Sequence, residues 1–271
     1  MGKIYAIASG KGGTGKTTVT ANLGAALALQ EKKVLLIDGD AGLGNLDLLL
    51  GLEPNVHLDF SHVLQHICTA EEAILSVPYF PTLFFLAAAG KLADLPVFET
   101  TELLRQLRDQ YDYILLDCPA GLGDFYRLAI SQADALICVT IPDIAAVQNG
   151  RRTLAEAARY SSAEVYLIIN RVQFPAMHRG EMLDIESICQ IIPAMLLGII
   201  PEDSGCIRAA NQGEILVLSD QSPASQSFRR IARRLLGEKI GFPRQEAQVQ
   251  VKRGFFSRLK DLFRNETGFH G

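Results

Sequence analysis

Nine residues, Gly10-Lys11-Gly12-Gly13-Thr14-Gly15-Lys16-Thr17-Thr18, stand between an apolar run, Ile4-Tyr5-Ala6-Ile7-Ala8, and a helix-like run, Val19 to Leu29. Strand, glycine-rich loop and helix in that order make a cradle of backbone N–H groups at a helix N-terminus, which suits phosphate oxygens. Gly12, Gly13 and Gly15 are expected to take positive φ and let the backbone approach an anion closely. Lys16 is placed to reach the β- and γ-phosphates of a bound nucleotide, and the Thr17 hydroxyl to ligate Mg²⁺. Thr14 and Thr18 complete the expected nucleotide-binding stretch. Lys11 stands where the general pattern accepts any residue, five positions before Lys16. Its charge is surplus in its own subunit, but it could serve a nucleotide held by a facing copy.

Further apolar runs end in polar residues at regular intervals. Val34-Leu35-Leu36-Ile37 leads into Asp38-Gly39-Asp40, and Tyr113-Ile114-Leu115-Leu116 into Asp117. Short, fully apolar runs of this kind read as parallel strands buried on both faces. In open α/β sheets ligands collect at the carboxyl ends of such strands. Thr82 to Ala87, Ala135 to Thr140, Glu164 to Ile169 and Met195 to Ile200 read as further strands. Glu99 to Gln110, Asp143 to Tyr160 and Gln221 to Leu236 read as helices, and 55–80 as short helices and turns. The expected fold is α/β: a mostly parallel, doubly wound P-loop sheet with helices on both faces.

The loop KGGTGKTT, with its early Lys11, resembles that of the deviant Walker A, MinD/ParA-type ATPases. Gly42-Leu43-Gly44-Asn45-Leu46-Asp47 and Asp117-Cys118-Pro119-Ala120-Gly121 are similar to the two switch segments of that family. The resemblance implies an ATP hydrolase that forms an ATP-dependent sandwich homodimer with Mg²⁺. Lys11 would cross to the partner's phosphates and Lys16 would bind them in its own subunit. Asp40 would orient the attacking water. Thr17, Asp38 and Asp117 would hold the metal, Asp38 and Asp117 through water. Asn170 would bond the base edge, with Arg171, Pro201 and Glu202 packed near the adenine. The family usually carries a larger residue at Gly39, an arginine at Gly44 and a glutamate at Gly123, which bears on how its partners stimulate hydrolysis.

Net charge is −4, but five basic and two acidic residues from Val251 onward leave +3 on the C-terminal stretch and −7 on the rest. A basic end on an acidic body suggests an anionic partner of its own. Phe255, Phe256, Leu259, Leu262 and Phe263 fall at i, i+1, i+4, i+7 and i+8, one face of a helix, with Lys252, Arg253, Arg258, Lys260 and Arg264 around them. That is the pattern of a helix lying in a membrane interface. The MinD/ParA family includes members that end in such a helix. The expected organisation is an ATPase domain over 1–240, a linker over 241–250 and a membrane-targeting tail over 251–271. Five cysteines without C-x-x-C spacing fit a reduced compartment and exclude a paired-cysteine metal site. With the first strand beginning at once, no signal peptide is expected, and the resemblance places the protein in the cytoplasm, peripheral on the inner face of the cell membrane.

The function so implied is placement of the division septum, with partners of the MinC and MinE kind. A flagellar number regulator of the FlhG kind shares the loop and the basic tail. A ParA-like DNA partition role would use Arg229, Arg230, Arg233 and Arg234, clustered along one side of the last body helix. His62 and His66 at i, i+4 and Cys118 after the Asp117 strand read as packed or solvated residues.

Overall fold

The computed structural model describes residues 1–40, 45–88, 96–119 and 121–243. The 251–271 tail, linker residues 244–250, Gly42, Leu43, Gly44 and Ala120 lie outside the described residues.

Eight strands form one sheet in the order β3-β4-β2-β5-β1-β6-β7-β8, where β1 is Lys3–Ala8, β2 Val34–Asp38, β3 Leu75–Ser76, β4 Leu83–Leu86, β5 Tyr113–Asp117, β6 Ala135–Thr140, β7 Glu164–Val172 and β8 Met195–Pro201. All pairings are parallel except that of the two-residue β3 with β4. Every residue of β2, β5 and β6 is buried, which is why these runs carry no alternation of polar and apolar residues.

Two apolar clusters sandwich the sheet. One face is covered by α1 (Lys16–Ala28) and α11 (Pro223–Leu235), through Leu23, Leu27, Phe228 and Ile231. The other is covered mainly by α5 (Val97–Arg108), α6 (Asp124–Gln132) and α7 (Ile144–Ala157), through Leu104, Tyr126 and Val147. Helices on both faces of a parallel sheet satisfy the doubly wound expectation.

Short elements fill the 55–80 region: α3 (Phe60–Leu64) and α4 (Ala70–Ala73), each opened by a capping box, from Asp59 and from Thr69. His62 Nδ1 accepts from the Asp59 backbone N–H at 3.2 Å, so this imidazole is part of a cap. Farther along, α2 (Leu46–Leu49) meets α10 (Ser204–Gln212) where Gly51 and Gly213, both at positive φ, touch backbone to backbone. A Cβ on Gly51 would lie 2.7 Å from the Gly213 carbonyl oxygen.

The central strands β2, β5 and β1 deliver Asp38, Asp117 and the glycine loop to one edge. Asp38 and Asp117 are direct neighbours in the parallel register of β2 and β5. The chain winds outward in both directions from β1, so the loop that follows it sits at the crevice where such folds bind ligands.

Candidate nucleotide site

The loop after β1 turns through Gly13 (φ 79°) and Gly15 (φ 85°). Gly12 does not take positive φ, contrary to the sequence expectation; it contributes openness, since a Cβ there would meet nothing within 4 Å. Gly15 is the N-cap of α1, with no side-chain cap and no acidic residue in the first turn. By contrast, α7 and α10 are capped by Asp143 and Asp203 and α11 by Ser222. A helix start that keeps its free N–H groups and carries no carboxylate is suited to an external anion.

Behind the loop, Lys16 is 8% exposed and its Nζ donates to Asp117 Oδ1 at 2.8 Å. The Thr20 hydroxyl donates to the same oxygen at 2.9 Å. Asp117 Oδ2 is buried with no hydrogen-bond partner. A buried carboxylate oxygen left alone is costly, and a hydrated cation or its water is what would satisfy it. Asp38, alongside, is 3% exposed and accepts the Asp40 backbone N–H at 2.8 Å. Burial, with Asp117 next to it, pushes the Asp38 carboxyl up to about 7. Two buried carboxylates side by side, one unsatisfied and one reluctant to ionise, form an oxygen-donor set that fits a hard divalent cation. Thr17, in the first turn of α1, and Asp40, two residues past the end of β2, are both half-buried.

Lys11 behaves differently from Lys16. It is 47% exposed, and its Nζ lies 3.5 Å from Oδ1 of Asp143, which also accepts the Ala146 N–H as the cap of α7. Sequence reasoning named Lys11 but not Asp143 or Thr20. Thr20 follows Lys16 by one helical turn, on the same face of α1, which was the available signal. Asp143 was legible as a helix cap after Pro142, but not as a partner for the loop.

The residues expected near the base gather at the ends of β7 and β8. β7 runs past Ile169 through Asn170 and Arg171 to Val172, with a register irregularity between Ile169 and Val172. Arg171 takes positive φ, 54°, and is exposed. The Glu202 N–H donates to Val172 O at 3.0 Å, holding Pro201 and Glu202 beside that strand end. Asn170 is buried and turned to the phosphate loop: its Nδ2 donates to Thr14 O at 2.8 Å.

Two switch departures have different surroundings. Gly123 is open, so a larger side chain would fit. Gly39 is closed: a Cβ would lie 2.0 Å from the Phe125 ring and 2.7 Å from Asp117 O. Phe125, on α6, fills the room that a larger residue would need. Cys118 is fully buried, and burial pushes its thiol up to about 12, so it is a packing residue. The arginines of α11 are tied into the body. Arg229 donates to Val217 O at 2.9 Å, Arg233 pairs with Glu238 at 2.6 Å, and Arg234 donates to Leu197 O at 2.8 Å. Arg230 bonds Ser227 Oγ at 2.8 Å.

Comparison with known proteins agrees with this geometry. Residues 5–217 match the family described as the CobQ/CobB/MinD/ParA nucleotide binding domain. The septum site-determining protein MinD of Bacillus subtilis is 37% identical over 267 residues, covering 97% of this chain and 98% of the relative. That of Synechocystis is 40% identical over 245 residues, covering 89% and 92%. Among solved structures, the MinC:MinD cell division complex of Aquifex aeolicus matches with a TM-score of 0.84 at 37% identity, over 89% of this chain and 98% of that one. MinD of Pyrococcus horikoshii, complexed with Mg-ADP, matches with a TM-score of 0.77 at 32% identity, over 89% and 100%. With its phosphate loop, paired strand-end aspartates and near full-length likeness to these proteins, the chain belongs to the MinD/ParA family of P-loop ATPases, in its septum site-determining MinD branch.

Proposed function

We propose that this ATPase dimerises on ATP, binds the inner face of the cell membrane in that state, recruits partners of the MinC and MinE kind to help place the division septum, and is released by hydrolysis. The observation that carries this reading is the contrast between the two loop lysines. Lys16 is buried against Asp117, whereas Lys11 is half-exposed at the loop surface, where it is available to the phosphates of a facing subunit.

In this reading Gly10 to Thr18 wrap the phosphates, Lys16 binds the β- and γ-oxygens, and Asp40 orients the attacking water. Thr17, Asp38 and Asp117 hold Mg²⁺, for which the unsatisfied Asp117 Oδ2 argues. The ion, when bound, neutralises charge developing on the phosphate oxygens. Asn170, Arg171, Pro201 and Glu202 receive the adenine.

The membrane step belongs to the 251–271 segment. No described helix is long and apolar enough to cross a membrane, so attachment would be peripheral. As a helix, Val251 to Arg264 would span about 21 Å. Burying Phe255, Phe256, Leu259, Leu262 and Phe263 would gain roughly 8–15 kcal/mol gross, much of it offset by ordering the segment and by incomplete insertion. One copy should therefore bind weakly and reversibly. Two copies held by a dimer gain roughly 10²–10⁴ in avidity, which gives the nucleotide control over attachment. Arg229 and Arg234 of α11 donate to backbone carbonyls of the body, Val217 O and Leu197 O, which favours this reading over a DNA-binding role for the helix.

Cosedimentation with anionic phospholipid vesicles tests the reading. The wild-type protein should pellet with ATP and not with ADP. Lys11→Ala and deletion of 251–271 should each abolish the ATP-dependent fraction, and undiminished recruitment of Lys11→Ala would overturn the dimer-controlled mechanism.

A further inference from the structure

We infer that Thr20 is a positioning residue that holds Asp117 in place for the metal ion when Lys16 turns to the phosphates. This rests on the reading of the loop as a nucleotide site with Mg²⁺ beside Asp117. Thr20 and Asp117 are both fully buried, and they come together from different elements, α1 and the end of β5. Asp117 Oδ1 accepts two bonds, from Lys16 Nζ at 2.8 Å and from Thr20 Oγ1 at 2.9 Å, while Oδ2 accepts none. Lys16 O, 3.1 Å from the same hydroxyl, competes for its one proton. It is the weaker claimant. A carboxylate is the stronger acceptor, and a carbonyl in the first turn of a helix already faces the N–H four residues on.

The two donors differ in what else they serve. Lys16 has a long, flexible stem and three donors, and in the nucleotide-bound protein its ammonium goes to the β- and γ-oxygens. The Thr20 hydroxyl stands on a short side chain in the helix interior, one turn beyond Lys16, and cannot follow the lysine. Its bond to Oδ1 therefore persists whichever way Lys16 points. It also decides which oxygen is presented: with Oδ1 held toward α1, Oδ2 is the oxygen left for a cation or its water. Without the hydroxyl, departure of Lys16 would strip a buried carboxylate of both its donors, beside the Asp38 carboxyl that neighbours it across β2 and β5. A carboxylate so stripped is costly to keep buried and is free to turn away.

The test uses the full chain, a fluorescent ADP analogue as nucleotide probe, and Mn²⁺ as metal probe, followed by electron paramagnetic resonance. Thr20→Val keeps the shape and removes the hydroxyl. It should bind the ADP analogue in EDTA as the wild type does. It should hold Mn²⁺ on the nucleotide complex about tenfold more weakly, the equivalent of one hydrogen bond to a charged group. Thr20→Ser should restore the Mn²⁺ affinity. Unchanged Mn²⁺ affinity in Thr20→Val would overturn the inference, and a lower melting temperature beside it would mark a merely structural bond. An equal loss of nucleotide affinity in EDTA would overturn it too, by showing that the loop rather than Asp117 had lost its place; so would failure of Thr20→Ser to restore Mn²⁺ binding. If Thr20→Val does not melt cooperatively, Thr20→Cys, whose thiol is only a weak donor, is read by the same criteria. A wild-type complex with no more affinity for Mn²⁺ than free ADP would refute the metal reading itself, independently of the variants.

Discussion

Lys11 and Asp143 form an ion pair within one subunit, Nζ to Oδ1 at 3.5 Å, with both side chains nearly half exposed. The lysine proposed to serve the opposite nucleotide is thus lightly tied at home. An exposed pair of this kind contributes about 0.2–1 kcal/mol, little enough for a triphosphate to outbid. Asp143 also caps α7 through the Ala146 N–H, and asparagine caps about as well. Asp143→Asn is therefore expected to keep the helix cap, to lower stability by no more than the pair's own about 0.2–1 kcal/mol, and to tighten dimerisation on a non-hydrolysable ATP analogue by up to about fivefold for each pair released. Sedimentation equilibrium at low and high salt measures this, and weaker dimerisation would show that Asp143 assists the dimer instead.

Gly39 and Phe125 are fitted to each other. A methyl group at 39 would sit 2.0 Å from the ring, so Gly39→Ala is expected to destabilise by about 1–3 kcal/mol through overpacking. Phe125→Leu removes part of the ring and should restore part of that loss in the double variant. Urea denaturation of the four proteins gives the coupling, and strict additivity would show that the two positions do not compete for the same space.

The buried Lys16–Asp117 pair gives a different signature. Lys16→Ala should abolish ATP hydrolysis and also cost about 3–5 kcal/mol, because it leaves a buried carboxylate without its cation. Adding Asp117→Asn should recover part of the stability but none of the activity. Denaturant melts alongside phosphate-release assays separate the two effects.

Asp38 should make the nucleotide-free protein less stable as pH rises. Its carboxyl is pushed up to about 7 in the folded chain, against about 4 when unfolded. Between those values the folded state binds the extra proton, so the slope of unfolding free energy with pH is negative. The contribution is complete below about 4, is lost as pH climbs through about 7, and is flat above that. Asp38→Asn should flatten this part of the profile. Thermal melts of both proteins between pH 4 and 8, without Mg²⁺ or nucleotide, test the sign.

Much of this architecture was legible in the sequence because the central strands are buried on both faces and so read as unbroken apolar runs. Residues 113–117 and 135–140 form strands where those runs lie. β3 was not legible: two residues, Leu75 and Ser76, carry no periodicity, and pairing with Phe84 and Phe85 alone makes them a strand. The apolar run of β7 ends at Ile169, and Asn170 and Arg171, poor strand residues, give no sign that the strand goes on. The strand continues because the Asn170 side chain takes up the N–H of a left-handed Arg171. Lys16, Asp38 and Asp117, which the loop pattern and the apolar strand ends mark out in the sequence, lie together in the structure. Thr20, Asp143 and Phe125 are not so marked out, since their partners lie 97, 132 and 86 positions away in the chain.

Where Gly51 meets Gly213 the backbones at the ends of α2 and α10 come into direct contact, and a side chain at Gly51 would act as a wedge. Upstream, Asp40 is pinned by its N–H to Asp38. Farther along the same chain, Gly51 lies against the end of the helix that follows β8. Two stretches that lie far apart in the chain, one after β2 and one after β8, thereby share a contact that glycine at position 51 makes possible.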